Sequence, residues 1–432
     1  MVRNRLDKEN ADKKLLQNTT TNIKETSLKI WRLLLSLILF VLGIVIGLIS
    51  SSHVDINRYM ITSTPSSQDP SFYTTYVGVF NRADIKNDVS NRTESIKHNS
   101  SSSSVGCGFV SRSRESCKNE GCLDFDKFLN PKELIHMMSD DELFWRASMV
   151  PTIKGYPFNR VPKVAFMFLT RGPLPFLPIW ERFFGGYDGL FSIYVHTQPG
   201  VILNVSPDSV FFARQIPSQK VYWGDVTMAD AEKRLLANAL LDFSNERFVL
   251  VSESCIPIYN FKTVHKYLTE SVHSFVESYD DPTRYGRGRY SRRMMPDIRL
   301  YQWRKGSQWF EMSRALAVEI ISDYKYYDLF RKYCHPSCYP DEHYIPTYLN
   351  IFHAPVNSNR TVTYVDWSLG GPHPASFGRE NITESFIQKI RNNGTECWYN
   401  SQRTTLCYLF ARKFNPTALE PLLDISSKVM GF

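Results

Sequence analysis

The chain has 432 residues, 43% of them hydrophobic and 14% aromatic, enough to bury a sizeable core in one large domain or two ordinary ones. Its formal charge of +8 is modest and unevenly spread, which argues against a nucleic-acid-binding protein. The eight cysteines (107, 117, 122, 255, 334, 338, 397 and 407) lack the repeated Cys-x-x-Cys spacing of a zinc site. They point instead to disulfides in an oxidising compartment, with the pairing left open.

The first predicted element is an uncharged run at 33–49, LLLSLILFVLGIVIGLI. As a helix it spans roughly 25 Å, near the lower limit for crossing a bilayer. Eight Lys/Arg precede it and only Arg58 occurs in the next twenty residues. The positive-inside rule therefore makes 1–32 a cytosolic tail and 33–49 an uncleaved signal anchor. The long polar leader and the lack of a small-residue cleavage site disfavour a signal peptide. The expected topology is a single-pass type II membrane glycoprotein of the secretory pathway. Candidate glycosylation sites on the lumenal side are Asn91, Asn99, Asn204, Asn359, Asn381 and Asn393, each opening an Asn-x-Ser/Thr triplet.

Residues 50–106 read as a disordered lumenal stem, because KNDVSNRTESIKHNSSSSS has no apolar period with which to bury a core. Residues 107–160 are transitional, with helical character over Pro131–Met149, and 161–432 form the expected catalytic domain. VAFMFLT (164–170) is a continuous apolar run, as expected of a strand covered on both faces. A helix around Ile179–Phe184, a strand LFSIYVH (190–196), a short strand KVYW (220–223), a helix Met228–Leu241 and a strand RFVLVS (247–252) follow. Thr227 and Asp230 resemble a capping box for the second helix. This alternation predicts an α/β fold with a mainly parallel sheet and flanking helices, and ligands at the carboxyl ends of its strands. Those ends carry Thr170-Arg171-Gly172, His196-Thr197, Trp223-Gly224-Asp225 and Ser252-Glu253-Ser254.

A lumenal α/β domain suggests sugar transfer, which needs a base for the acceptor hydroxyl and cations for the departing diphosphate. The one Asp-x-Asp, Asp124-Phe125-Asp126, precedes the first core strand and reads as a solvated helix start, so no metal cofactor is expected. From the residues alone, Asp341-Glu342 after Pro340 read as a helix start, Trp367 as a core aromatic, and Arg284, Arg287, Arg289, Arg292, Arg293 and Arg299 as a solvated loop or an acidic-glycan contact.

Several blocks in order, LTRGPLPFLPIWERFF with SIYVH, YWGDVTMADAEKRLL with FVLVSESCIPI, QWFEMSR, YPDEHYIPTYL, YVDWS and LFARKF, resemble the core-2/I-branching β-1,6-N-acetylglucosaminyltransferase family (glycosyltransferase family 14), especially its plant branch. The resemblance covers about 161–414. It implies a GT-A-like fold and an inverting, metal-independent Golgi enzyme with its catalytic domain in the lumen. The implied substrates are a UDP-sugar, with N-acetylglucosamine leading, and a glycan or glycoprotein acceptor. It assigns Glu342 as the base, Arg403 and Lys413 to the donor diphosphate and Trp367 to the acceptor, and it pairs Cys397 with Cys407. Val195-His196-Thr197-Gln198 lacks the acid that vertebrate members carry after this strand, which leaves the donor preference open. Competing readings are a UDP-glucuronic acid-dependent transferase and a catalytically silent, membrane-tethered glycan-binding protein.

Overall fold

The computed structural model describes residues 134–151, 155–156, 159–392 and 394–432, together with Ser36. The anchor, the stem, Asn91, Asn99, Asn393, Cys107, Cys117, Cys122, Asp124 and Asp126 lie outside the described residues, Ser36 apart. Among the described residues no helix is long and apolar enough to cross a membrane.

The central sheet has four strands in the order β2-β1-β3-β5. Strands β1 (Lys163–Leu169), β2 (Phe191–His196) and β3 (Asn245–Ser252) run parallel, and β5 (Glu311–Ser313) is antiparallel beside β3. The chain passes from β1 to β2 through α2 (Leu177–Phe184), and from β2 to β3 through α3 (Val226–Leu240). This is the mixed α/β, parallel-rich arrangement expected from the alternation of apolar runs and helices.

Successive side chains of a strand point to opposite faces, and β1 feeds two cores accordingly. Val164, Phe166 and Phe168 pack with Trp180, Phe183 and Phe184 of α2 and Phe261 and Leu268 of α4 (Phe261–Glu270). Ala165, Met167 and Leu169 face the other core, with Leu143 and Phe144 of α1 (Asp140–Ser148), Leu235 and Leu236 of α3, and Leu316 and Ile320 of α5 (Arg314–Ser322). The first core is dense in rings: Phe166 meets Phe184 at 5.0 Å and Phe168 meets Trp180 at 5.0 Å, both edge-on.

A second sheet, ordered β4-β9-β6, lies beyond the aromatic core. It joins β4 (Ile256–Pro257), β6 (Thr363–Val365) and β9 (Phe410–Arg412). Helix α6 (Lys325–Tyr333) leads to α7 (Pro340–Phe352) across the Cys334–Cys338 disulfide. After α8 (Glu384–Arg391) comes a hairpin of β7 (Cys397–Tyr399) and β8 (Gln402–Thr404), and α9 (Leu419–Ile425) lies near the C-terminus. Cys397 and Cys407 are bridged, and Cys255 is the free cysteine among the described residues.

Three local expectations are corrected. Of the helix expected over Pro131–Met149, the described residues 134–139 are not helical and Asp140–Ser148 are, where Ser139 and Glu142 form the capping box. Residues 220–222 form no strand; instead β2 extends through a single bridge from Val195 to Gln215. Thr227 does not cap α3: its hydroxyl accepts from the Tyr222 amide at 3.0 Å, and the cap is Asp225, accepting from the Thr227 amide at 3.0 Å. Helix α1 packs on α3 and α5, and Asp140 pairs with Arg234 at 2.6 Å, so the folded unit extends upstream of β1.

Asn204 and Asn359 are exposed and Asn381 is half-buried. The Asn359 side-chain oxygen accepts from the Ser278 amide at 2.7 Å and that of Asn381 from Gly378 at 2.8 Å.

Candidate active site

A cavity of about 600 Å³ opens where the parallel strands end. Its lining includes Thr170 and Arg171 after β1, Thr197 and Gln198 after β2, and Ser252 and Glu253 at the end of β3. Loop residues Trp223 and Lys305–Trp309, the start of α7, and the end of β9 complete it. This is the position that parallel α/β sheets offer a ligand.

The start of α7 is built by three devices. Pro340 takes the first helical position, where its missing N–H is no loss. Tyr339 before it is left-handed, with φ of 55°, and its ring turns into the cavity. That ring passes so close to Gly224 that a Cβ there would lie 2.9 Å from it; Gly224 itself has φ of +74°, so glycine is required twice over. Trp223 contacts the Tyr339 ring edge-on at 5.2 Å. The Cys334–Cys338 bridge immediately upstream constrains the chain entering this turn.

Asp341 and Glu342 fall in the first turn of α7, at the positive end of its dipole. Glu342 is about a quarter exposed, and its Oε2 receives Arg289 Nη1 at 2.8 Å and Lys305 Nζ at 3.2 Å. The Arg289 guanidinium also lies 3.8 Å from the centre of the Tyr339 ring. Burial works to lower the Lys305 pKa, but the Glu342 charge overrides it and the ammonium is held above its usual range. The cavity thus holds the Glu342 carboxyl group beside two cations. Two nearby imidazoles are buried and kept from charging. Burial lowers His343 to about 4 and His196 to about 3, and neither lines the cavity.

Another part of the lining is cationic. Arg171, Arg412 and Lys413 form it, and none makes an ion pair within 4.0 Å among the described residues. Arg412 lies 4.1 Å from the Trp309 ring centre with its Nε unpartnered, and burial lowers its pKa to about 10. Lys413 is likewise lowered, first by burial and then by Arg412; Glu253 is the acid that offsets them. Such a wall is a ready receiver for a polyanion.

Of the residues singled out in the sequence, Glu342, Lys413 and Trp367 meet at this cavity. Trp367 stands at its edge, 51% exposed. Arg403 is not brought there: it projects from β8, 64% exposed, paired with Glu396 at 2.8 Å and lying 5.3 Å from the Trp398 ring. Gln198, where an acid was looked for, turns both ends of its amide to the Val221 backbone, at 2.9 and 3.3 Å. Arg171, Lys305, Trp309 and Arg412 were not singled out from the sequence. The strand-end rule already flagged the segment holding Arg171, whereas nothing local marked Lys305. Among the described residues no three His, Cys, Asp or Glu side chains gather as metal ligands would.

The family model of the Core-2/I-Branching enzyme matches residues 164–391, a span running from β1 to the end of α8. A rice protein (Oryza sativa subsp. japonica), Glycosyltransferase BC10, is 35% identical over 308 residues, covering 61% of this chain and 76% of the relative. The chain therefore belongs to the core-2/I-branching family and is a glycosyltransferase.

Proposed function

We propose that the chain is an inverting, metal-independent transferase that moves a sugar, with N-acetylglucosamine as the leading candidate, from a UDP-sugar to a glycan hydroxyl. Glu342 is the base. It is a partly exposed carboxylate of the cavity lining, next to the Arg289 and Lys305 cations, and the hydroxyl it deprotonates attacks the anomeric carbon from the side opposite the diphosphate. Lys413, with Arg412 and Arg171, receives the charge that develops on the leaving diphosphate, work done elsewhere by a metal. Trp367 offers a half-exposed apolar face on which the acceptor sugar stacks while its hydroxyls stay solvated. The carrying observation is that one cavity holds the Glu342 carboxyl paired with Arg289 and Lys305 together with Arg171, Arg412 and Lys413, which make no ion pair among the described residues.

We further propose that residues 33–49 anchor the chain in the Golgi membrane and that the unit holding the cavity is lumenal. The donor test uses purified full-length chain with a panel of UDP-sugars, following UDP release with and without a strong chelator. UDP release from UDP-N-acetylglucosamine that survives the chelator is the expected result. Release only with added metal would overturn metal independence, and release only from UDP-glucuronic acid would replace the donor. For topology, protease added to intact microsomes should trim only the N-terminal tail; digestion of the C-terminal unit would reverse the orientation.

A further inference from the structure

Beside the proposed base lies a second carboxyl that the reaction scheme leaves unused. Asp341 lines the cavity, is only 8% exposed, and its Oδ1 has no hydrogen-bond partner. A buried polar atom without a partner is destabilising, and native proteins keep few of them without a reason. Behind it, Glu232 of α3 is buried at 2% exposure and accepts from Gln308 Nε2 at 2.9 Å, and Gln308 also lines the cavity. The floor is therefore a buried acid pair next to a substrate-sized space, with one oxygen left for a ligand.

We propose that Asp341 binds the transferred sugar of the donor, by a direct hydrogen bond from its carboxyl group to a hydroxyl or acetamido group on the ring. The inference rests on the UDP-sugar reading above. In that reading the diphosphate binds at Lys413 and the anomeric carbon is turned toward Glu342, and Asp341 is the neighbouring buried carboxyl of the same cavity lining.

The charge state fits a sugar better than a cation. Burial, then the Glu342 charge, raise the Asp341 pKa to about 7, while Arg289 and Lys305 act in the opposite direction. Glu232 is also raised well above its usual range, by burial and by Asp341. Two buried acids in each other's field do not both ionise, so the pair holds a proton. A neutral carboxyl group both donates and accepts, which suits a hydroxyl or an amide.

The test compares binding of UDP with binding of UDP-N-acetylglucosamine to the full-length chain, since UDP lacks the sugar. Losing a hydrogen bond to a buried polar partner weakens binding about 10- to 100-fold. Asp341→Ala should show that loss for the UDP-sugar and leave UDP within about 2-fold of wild type. Asp341→Asn, which keeps both a donor and an acceptor, should stay within about 3-fold for both ligands. Unchanged UDP-sugar affinity in Asp341→Ala would overturn the proposal, as would parallel loss of UDP, which marks a structural role. An Asn variant as weak as the Ala variant would overturn the neutral carboxyl. Failure of wild type to bind UDP at all would instead sink the donor reading itself.

Discussion

The two walls of the cavity handle charge in opposite ways. At the start of α7, Glu342 is held by Arg289 and Lys305, and burial raises the pKa of both Asp341 and Glu232 near it. At the ends of β1 and β9, Arg171, Arg412 and Lys413 lie with the acid Glu253, and among the described residues none of the three cations makes an ion pair within 4.0 Å. A wall that is already neutralised is set for proton chemistry, because its groups need no counter-ion from the substrate. A wall with surplus positive charge is incomplete until an anion arrives, and its repulsion is relieved by binding. In the proposed reaction this asymmetry would orient the donor by its diphosphate.

The largest effect should come from breaking the neutralised wall at its exposed acid. Glu342→Gln keeps the shape and the hydrogen bonds but cannot accept a proton, so turnover should fall by about 10² or more. UDP affinity should be unchanged if the diphosphate binds at Lys413 as proposed. Near-normal turnover would remove Glu342 as the base.

Next in size is loss of surplus charge. Lys413→Ala removes a charge-assisted contact that exists in the ground state and strengthens as the bond breaks, so donor affinity and turnover should both drop, by about 10- to 100-fold. Steady-state kinetics with independent donor dissociation constants separates the two losses. A fall in turnover alone would mean that Lys413 does not hold the diphosphate beforehand.

A smaller, graded effect should appear with pH. Asp341 has a folded-state pKa of about 7, raised from 3.8 by burial and by Glu342. The folded protein thus holds a proton that the unfolded chain has released across this window. The stabilisation is complete below the lower value and is lost as pH rises through the upper one. UDP-sugar affinity should follow the same direction, weakening several-fold above about pH 7 as the carboxyl ionises. In Asp341→Asn that slope should vanish. A slope unchanged by the substitution would assign the titration to another group.

The sequence made the frame legible because its signals were local. The apolar runs of β1, β2 and β3 and the helix after Asp225 were all visible, and strand ends pointed to the cavity. Short elements were misread where long-range pairing decides: 220–222 have strand-like residues but no neighbouring strand to join, and the helix near 140 begins only where Ser139 and Glu142 can cap it. The site was half legible. Glu342, Lys413 and Trp367 came from motif resemblance, which carries position along the chain. The pairing of Glu342 with Arg289 and Lys305, 53 and 37 residues upstream, is set by the fold and left no local trace.

The smallest expected effect on donor binding is in the β7–β8 hairpin, and it is the sharpest test of the cationic wall. Arg403 sits between two bridged cysteines near the chain's cationic end, as a phosphate ligand would by resemblance. Yet it is mostly exposed, engaged with Glu396 and Trp398, and absent from the cavity lining, whereas Arg412 lies on that lining with its Nε unpartnered. An exposed ion pair contributes about 0–1 kcal/mol, so Arg403→Ala should leave UDP affinity within about 3-fold of wild type. Opening the Cys397–Cys407 bridge by a double Ser substitution should cost about 2–3 kcal/mol of stability for a loop of this size and lower the Tm. Donor affinity at temperatures below that transition should hardly change. If Arg403→Ala instead loses as much donor affinity as Lys413→Ala, the hairpin must close over the diphosphate, and the cationic wall would then extend through Arg403 to β8.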